Sequence, residues 1–156
     1  MFVDQVKVTV LAGNGGNGCL SFRREKGVPH GGPDGGRGGD GGSIILVSCN
    51  DINSLAYFRF HPIIKAKRGA HGEGSNRQGR RGQDLCLNVP VGTMVRDRKT
   101  DKVLFDFIKE NVRFVAAAGG KGGLGNAAFK SSTHQTPRFR QEGKPGQEKE
   151  LSLIHI

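Results

Sequence analysis

Two glycine triplets have the spacing of a phosphate-binding turn. Gly13, Gly15 and Gly18 lie in GNGGNG, and Gly120, Gly122 and Gly125 lie in GGKGGLG; both fit G-x-G-x-x-G, which lets a dinucleotide pyrophosphate approach the backbone. That chemistry needs a helix directly after the glycines, because the helix N-terminus presents the N–H groups that hold the phosphates. The first triplet runs instead into Cys19-Leu20-Ser21-Phe22-Arg23, where Leu20 and Phe22 alternate with polar residues. The second runs into Asn126-Ala127-Ala128-Phe129-Lys130, which has room for a turn or two before Thr136-Pro137 and no βαβ unit beyond. Neither Lys121 nor Lys144 completes G-x-x-x-x-G-K-[ST]. No Ser/His/Asp or Cys/His constellation is apparent and the acidic residues are scattered, so catalysis within this chain is not expected. Cys19, Cys49 and Cys86 lack Cys-x-x-Cys spacing and the histidines lack His-x-x-x-His, which argues against zinc. The cysteines are expected to be reduced core residues.

The glycines therefore need another explanation, and the stretch Gly27 to Gly42, GVPHGGPDGGRGGDGG, supplies one. From Gly35 it repeats every three residues, two glycines and one other. This is the period of a polyproline II helix, which makes no internal hydrogen bonds and must find partners elsewhere. Asp34, Arg37, Asp40 and Ser43 would share one edge, leaving Gly35, Gly36, Gly38, Gly39, Gly41 and Gly42 as two bare edges where backbones can touch. An isolated run of this kind is a disordered linker. Related clusters at residues 13–18, 69–82, 119–125 and 143–146 change that reading, because extended glycine segments side by side can satisfy each other's N–H and C=O groups.

Short strand patterns separate the glycine segments. Val6, Val8 and Val10 alternate with Lys7 and Thr9; further strands are predicted at Ser43–Ser48, Ile63–Lys67, Asp84–Val89, Gly92–Arg96, Lys102–Phe107 and Val112–Ala117, with a brief helix in Asp51–Phe60. The last residues from Gln147 alternate into an apolar run, read as a strand cut off mid-protein. A compact all-β barrel or sandwich is expected as the base.

The chain has 24 Lys and Arg against 14 Asp and Glu, a net charge of +10 over 156 residues. A polyanionic partner, nucleic acid ahead of a membrane surface, and a merely solvated basic surface both fit that charge. No apolar run has the length of a membrane span and the start, Met1-Phe2-Val3-Asp4, has no signal-peptide pattern, so a cytosolic protein is expected. Arg23, Arg24 and Lys26 precede one glycine segment, Arg77, Arg80 and Arg81 lie in another, and Lys130, Arg138 and Arg140 follow a third. Basic loops with few aromatic residues, Phe22, Phe129 and Phe139, suit folded RNA recognised by shape and backbone.

At this point the residues resemble a known family. MFVDQVKV, GNGGNG, FRREKGVPHGGPDGGRGGDGG, NVPVGTMV, AAGGKGGLGNAAFKSSTHQTPR and GKPGQEKEL are similar, over about residues 1–153, to the amino-terminal domain of the Obg (CgtA) GTPases. The resemblance implies the Obg fold over residues 1–156: an all-β, barrel-like base with a projecting bundle of glycine-rich polyproline II helices. It implies a cytoplasmic, ribosome-associated module that recognises ribosomal RNA during large-subunit assembly. It places the RNA contacts at Lys26 and His30 in one tip, Arg77, Arg80 and Arg81 in a second, and Lys130 and Arg138 in a third. His30 stands where the family often carries lysine, so charge there depends on pH. GTP and Mg belong, by the same resemblance, to a downstream GTP-binding domain outside this chain, which itself carries no cofactor. The alternative is a structural or protein-interaction domain that positions that GTPase domain without touching RNA. Whether Ile154, His155 and Ile156 continue the family pattern is left open.

Overall fold

The computed structural model describes residues 4–23, 31–129 and 139–156. The strands are β1 (Asp4–Leu11), β2 (Ile44–Cys49), β3 (Ile63–Lys65), β4 (Leu85–Pro90), β5 (Thr93–Asp97), β6 (Val103–Asp106), β7 (Arg113–Ala117) and β8 (Glu148–His155). One helix, α1, spans Ala56–Phe60, and a 3₁₀ turn spans Asn126–Phe129. The strands form two mixed sheets, one in the order β3-β1-β8-β5-β6 and one in the order β4-β2-β7. The fold is all-β as expected, and the base is a pair of open sheets, not a closed barrel.

Alternation decides which face each strand buries. Val6, Val8 and Val10 of β1 point inward beside Leu151 and Leu153 of β8 and Val95 of β5. Ile44 and Leu46 of β2, Val89 of β4 and Ala116 of β7 meet them from the second sheet, with Phe107, Ile64 and Phe58 filling the same core. The last strand is central: β8 pairs antiparallel with β1 from Asp4↔His155 to Leu11↔Glu148 and with β5 on its other edge. The expected helix is shorter than predicted, because residues 51–55 lead into it without helical structure. The cysteines are free, but Cys19 and Cys49 are half-buried and Cys86 is exposed on β4, so they are not core residues. Cys86 sits at an outward position of its strand, beside the Arg113 guanidinium across the sheet.

Asp4 joins β1 to α1. Its buried carboxylate accepts the Leu55 N–H at 2.7 Å and a hydrogen bond from Arg59 in the last turn of the helix. Burial by itself raises the Asp4 pKa, but the Leu55 N–H, the Arg59 bond and charge, and nearby His155 together outweigh it and hold the group below its ordinary 3.8.

Candidate nucleic-acid interface

Three glycine-rich excursions leave the sheets and return to them. Residues 12–19 continue from β1 and residues 34–42 lead back to β2; residues 67–73 follow β3 and 77–83 return to β4; residues 118–126 follow β7 and 141–147 return to β8. None of these segments is a regular helix or strand, so each N–H must find a carbonyl on a neighbour. The bonds advance in steps of three. Gly13, Gly16 and Cys19 donate to Gly42, Gly39 and Gly36; Gly36, Gly39 and Gly42 donate in turn to Glu73, Ala70 and Lys67. Gly120, Gly123 and Asn126 donate to Gly13, Gly16 and Cys19, while Gly15 and Gly18 donate to Lys144 and Gln141. Because each set of bonds recurs at every third residue, one segment serves several neighbours, and segments 12–19 and 34–42 lie at the centre.

Side chains at the same three-residue interval complete the lattice. Asn14 and Asn17 accept the Gly146 and Gly143 N–H groups, and Asp40 and the Ser43 hydroxyl accept those of Gly122 and Gly119. Asn126 is fully buried; its Oδ1 accepts the Gly35 N–H at 2.8 Å and its Nδ2 donates to the Ser21 carbonyl at 2.8 Å. Asp34 grips the second turn, where Ser75 and Asn76 both have φ near +60°. Its Oδ2 accepts the Ser75 N–H and its carbonyl accepts the Asn76 N–H, which fixes a backbone that non-glycine residues seldom adopt.

The lattice uses up five of the six fingerprint glycine N–H groups that a nucleotide would need. Gly13, Gly15 and Gly18 of the first fingerprint all donate to lattice carbonyls, and Gly120 and Gly122 of the second donate to Gly13 and Asp40. Cys19 to Phe22 remain non-helical, Phe22 bridges to Pro33, and the second fingerprint is followed by one 3₁₀ turn. Gly35, Gly36, Gly38, Gly39, Gly41 and Gly42 each have a neighbouring carbonyl so near that an added Cβ would come within 3.0 Å of it.

The excursions run in register. Asn126 donates to Cys19, Cys19 to Gly36, and Gly36 to Glu73, so these residues are level. Arg77 sits in the turn that closes residues 73–77, where it pairs with Glu73 at 3.4 Å and donates to the Gly74 carbonyl. Arg80 and Arg81 lie farther along the returning segment; Arg81 pairs with Asp84 at 3.3 Å, just before β4. Lys26, His30, Lys130 and Arg138 lie outside the described residues. Phe129 and Phe139 pack together at a centroid distance of 4.6 Å, which joins the two sides of the third excursion.

Charge divides unevenly along the sequence. The glycine-rich regions and their loops, residues 12–43, 66–83 and 118–147, carry 14 Lys and Arg against 5 Asp and Glu. The sheets and their connections carry 10 against 9. Nearly all of the net charge therefore falls, along the sequence, in the glycine-rich regions and their loops. Sequence reasoning found the basic residues and set Asp34 and Asp40 on one edge of the repeat, but missed Asn14, Asn17 and Asn126, whose signal was their place at a three-residue interval.

A two-sheet base carrying a cross-bonded glycine lattice defines an all-β class of domain in which the glycines are structural. The GTP1/OBG family model matches residues 3–154, and the chain belongs to that family. It is 54% identical to the GTPase Obg of Solibacter usitatus over 153 residues, covering 98% of this chain and 45% of that protein. The GTPase Obg of Syntrophobacter fumaroxidans is 55% identical over 152 residues, covering 97% and 44%, and that of Persephonella marina is 50% identical. The chain thus spans less than half the length of these curated relatives. No helix among the described residues is long and apolar enough to cross a membrane.

Proposed function

We propose that this chain is the module by which an Obg-type GTPase recognises ribosomal RNA on the large ribosomal subunit during assembly. The observation that carries the reading is the charge division: 14 basic against 5 acidic residues in the glycine-rich regions, and near neutrality in the sheets. A polyanion recognised by backbone and shape needs concentrated positive charge on a rigid support, and the lattice is such a support. In this reading Lys26, His30, Arg77, Arg80, Arg81, Lys130 and Arg138 meet RNA, and the glycine segments are polyproline II helices. GTP and Mg bind a neighbouring GTPase domain of the longer protein, which works in the cytoplasm with the ribosome.

A second reading, a structural domain that positions the GTPase domain, is favoured by the ion pairs that already neutralise Arg77 and Arg81. Sedimentation with large subunits decides between them. With about five phosphate contacts, binding should weaken about a hundredfold or more between about 50 and 200 mM salt. Arg80→Glu combined with Arg138→Glu should weaken binding and flatten that slope at unchanged melting temperature. A double variant that binds like the parent, with the same slope, returns the domain to the structural reading.

A further inference from the structure

A cleft of about 580 Å³ lies on the side of the lattice, between residues 67–71 and 80–83, away from the turn at Arg77. Its two walls are held together by the Ala70 N–H, which donates to the Arg80 carbonyl at 2.9 Å. Gly69 and Gly82 are buried beneath it, so no side chain fills the floor. Lys67, Arg68, His71, Arg80 and Arg81 rim it, all exposed, and no carboxylate lines it. Asp84, outside the lining, takes Arg81; among the described residues Lys67 and Arg80 have no ion-pair partner.

The decisive contact is at His71. Its Nδ1 accepts the Asn17 N–H at 2.9 Å, and a ring nitrogen that accepts carries no proton, so the neutral ring holds its proton on Nε2. That Nε2 lies 3.1 Å from the Arg68 guanidinium, which only donates. Two donors face each other with no acceptor between them. An anionic oxygen placed against both would take both bonds and complete the arrangement.

We propose that this cleft binds a phosphate group, held by the Arg68 guanidinium and the His71 Nε2–H with Lys67 and Arg80 supplying charge around it. Three rim cations without an ion-pair partner among the described residues, Lys67, Arg68 and Arg80, suit a phosphate better than a lone carboxylate. The phosphate site stands on the cleft's own geometry. Its assignment to an RNA backbone, in place of free inorganic phosphate, rests on the proposed function.

The test is an NMR titration of the chain with inorganic phosphate and, separately, with a short mixed-sequence RNA duplex. The Asn17 amide and the His71 ring nitrogens are followed. Both signals should shift with both probes. Arg68→Gln should weaken the response about tenfold, and Lys102→Gln, just before β6 at the edge of its sheet opposite β3, should leave it unchanged. If Arg68→Gln alters the melting curve, Arg80→Gln, an exposed position, provides the second variant and should weaken the response in the same direction. Silence of Asn17 and His71 toward both probes overturns the site, as does unchanged binding by the folded variants. RNA binding that leaves both residues silent overturns the cleft and spares the proposed function. A phosphate response without binding of RNA or subunits sustains the cleft and overturns the proposed function.

Discussion

Asn126 holds three segments of the lattice through one side chain, since its amide serves Gly35 and Ser21 while its own N–H reaches Cys19. Asn126→Ala would leave a buried donor and a buried acceptor unpaired, at about 1–3 kcal/mol each. The expected outcome is a loss of about 3 kcal/mol in chemical denaturation; a loss below about 0.5 kcal/mol would show that water or relaxation replaces the amide. Asn126→Asp is a finer probe, because it keeps the acceptor for Gly35 but turns a carboxylate oxygen toward the Ser21 carbonyl. This variant should regain stability as acid protonates the new carboxyl. Asp4 behaves in the opposite sense. Its pKa is lower folded than unfolded, so its contribution is complete above about pH 5 and is lost as pH falls through its folded value. Asp4→Asn should therefore melt lower than the parent at neutral pH and lose less on acidification, and parallel acid titrations of the two would contradict this.

Among the elements, the glycine segments leave the least room for change. A Cβ on Gly38 would overlap the Gly16 carbonyl, and one on Gly36 the Arg77 carbonyl, both backbone atoms fixed by bonds to further segments. Gly38→Ala should cost about 3 kcal/mol, the upper end of ordinary overpacking, because no flexible side chain is present to yield. Gly92 makes the comparison. Its φ of +93° is strained for alanine, but an added Cβ would meet only the His155 ring at 3.7 Å. Gly92→Ala should therefore cost only about 1–2 kcal/mol, the penalty of a left-handed conformation. Denaturant midpoints for the pair check the ranking, and equal losses would mean that close packing does not set the tolerance of the lattice.

At the level of the whole molecule, the sheets act as a clamp that sets where each excursion begins and ends. Because the lattice consumes the N–H groups of Gly13, Gly15, Gly18, Gly120 and Gly122, calorimetric titration of this chain with GTP should show no stoichiometric binding. A stoichiometric isotherm would mean that the glycine turns open to release their N–H groups. The basic residues of the sequence fall mostly in the glycine-rich regions, and the salt dependence of subunit binding belongs to this scale because it sums over several of those regions at once.

Much of this was legible in the residues. Alternation at Val6, Val8 and Val10 specified β1, since a period of two buries one face whatever the partner strand is. The three-residue repeat from Gly35 foretold segments that bond outward, and the missing helix after Gly18 and Gly125 argued against a nucleotide site. Other features required the tertiary structure. That β8 lies between β1 and β5 depends on pairings between residues far apart in the chain, Asp4 with His155 and Thr93 with His155. Nor does the repeat say which segment faces which, because glycine has no side chain to specify a neighbour. Gly13 meets Gly42 just after β1 ends and just before β2 begins, a pairing that only the fold makes. His71 likewise becomes a directed donor beside Arg68 only when Asn17, far off in the sequence, comes to lie against its other nitrogen. Local periodicity determined the kind of backbone at each point, and the long-range fit of carbonyls to N–H groups decided how those pieces were put together.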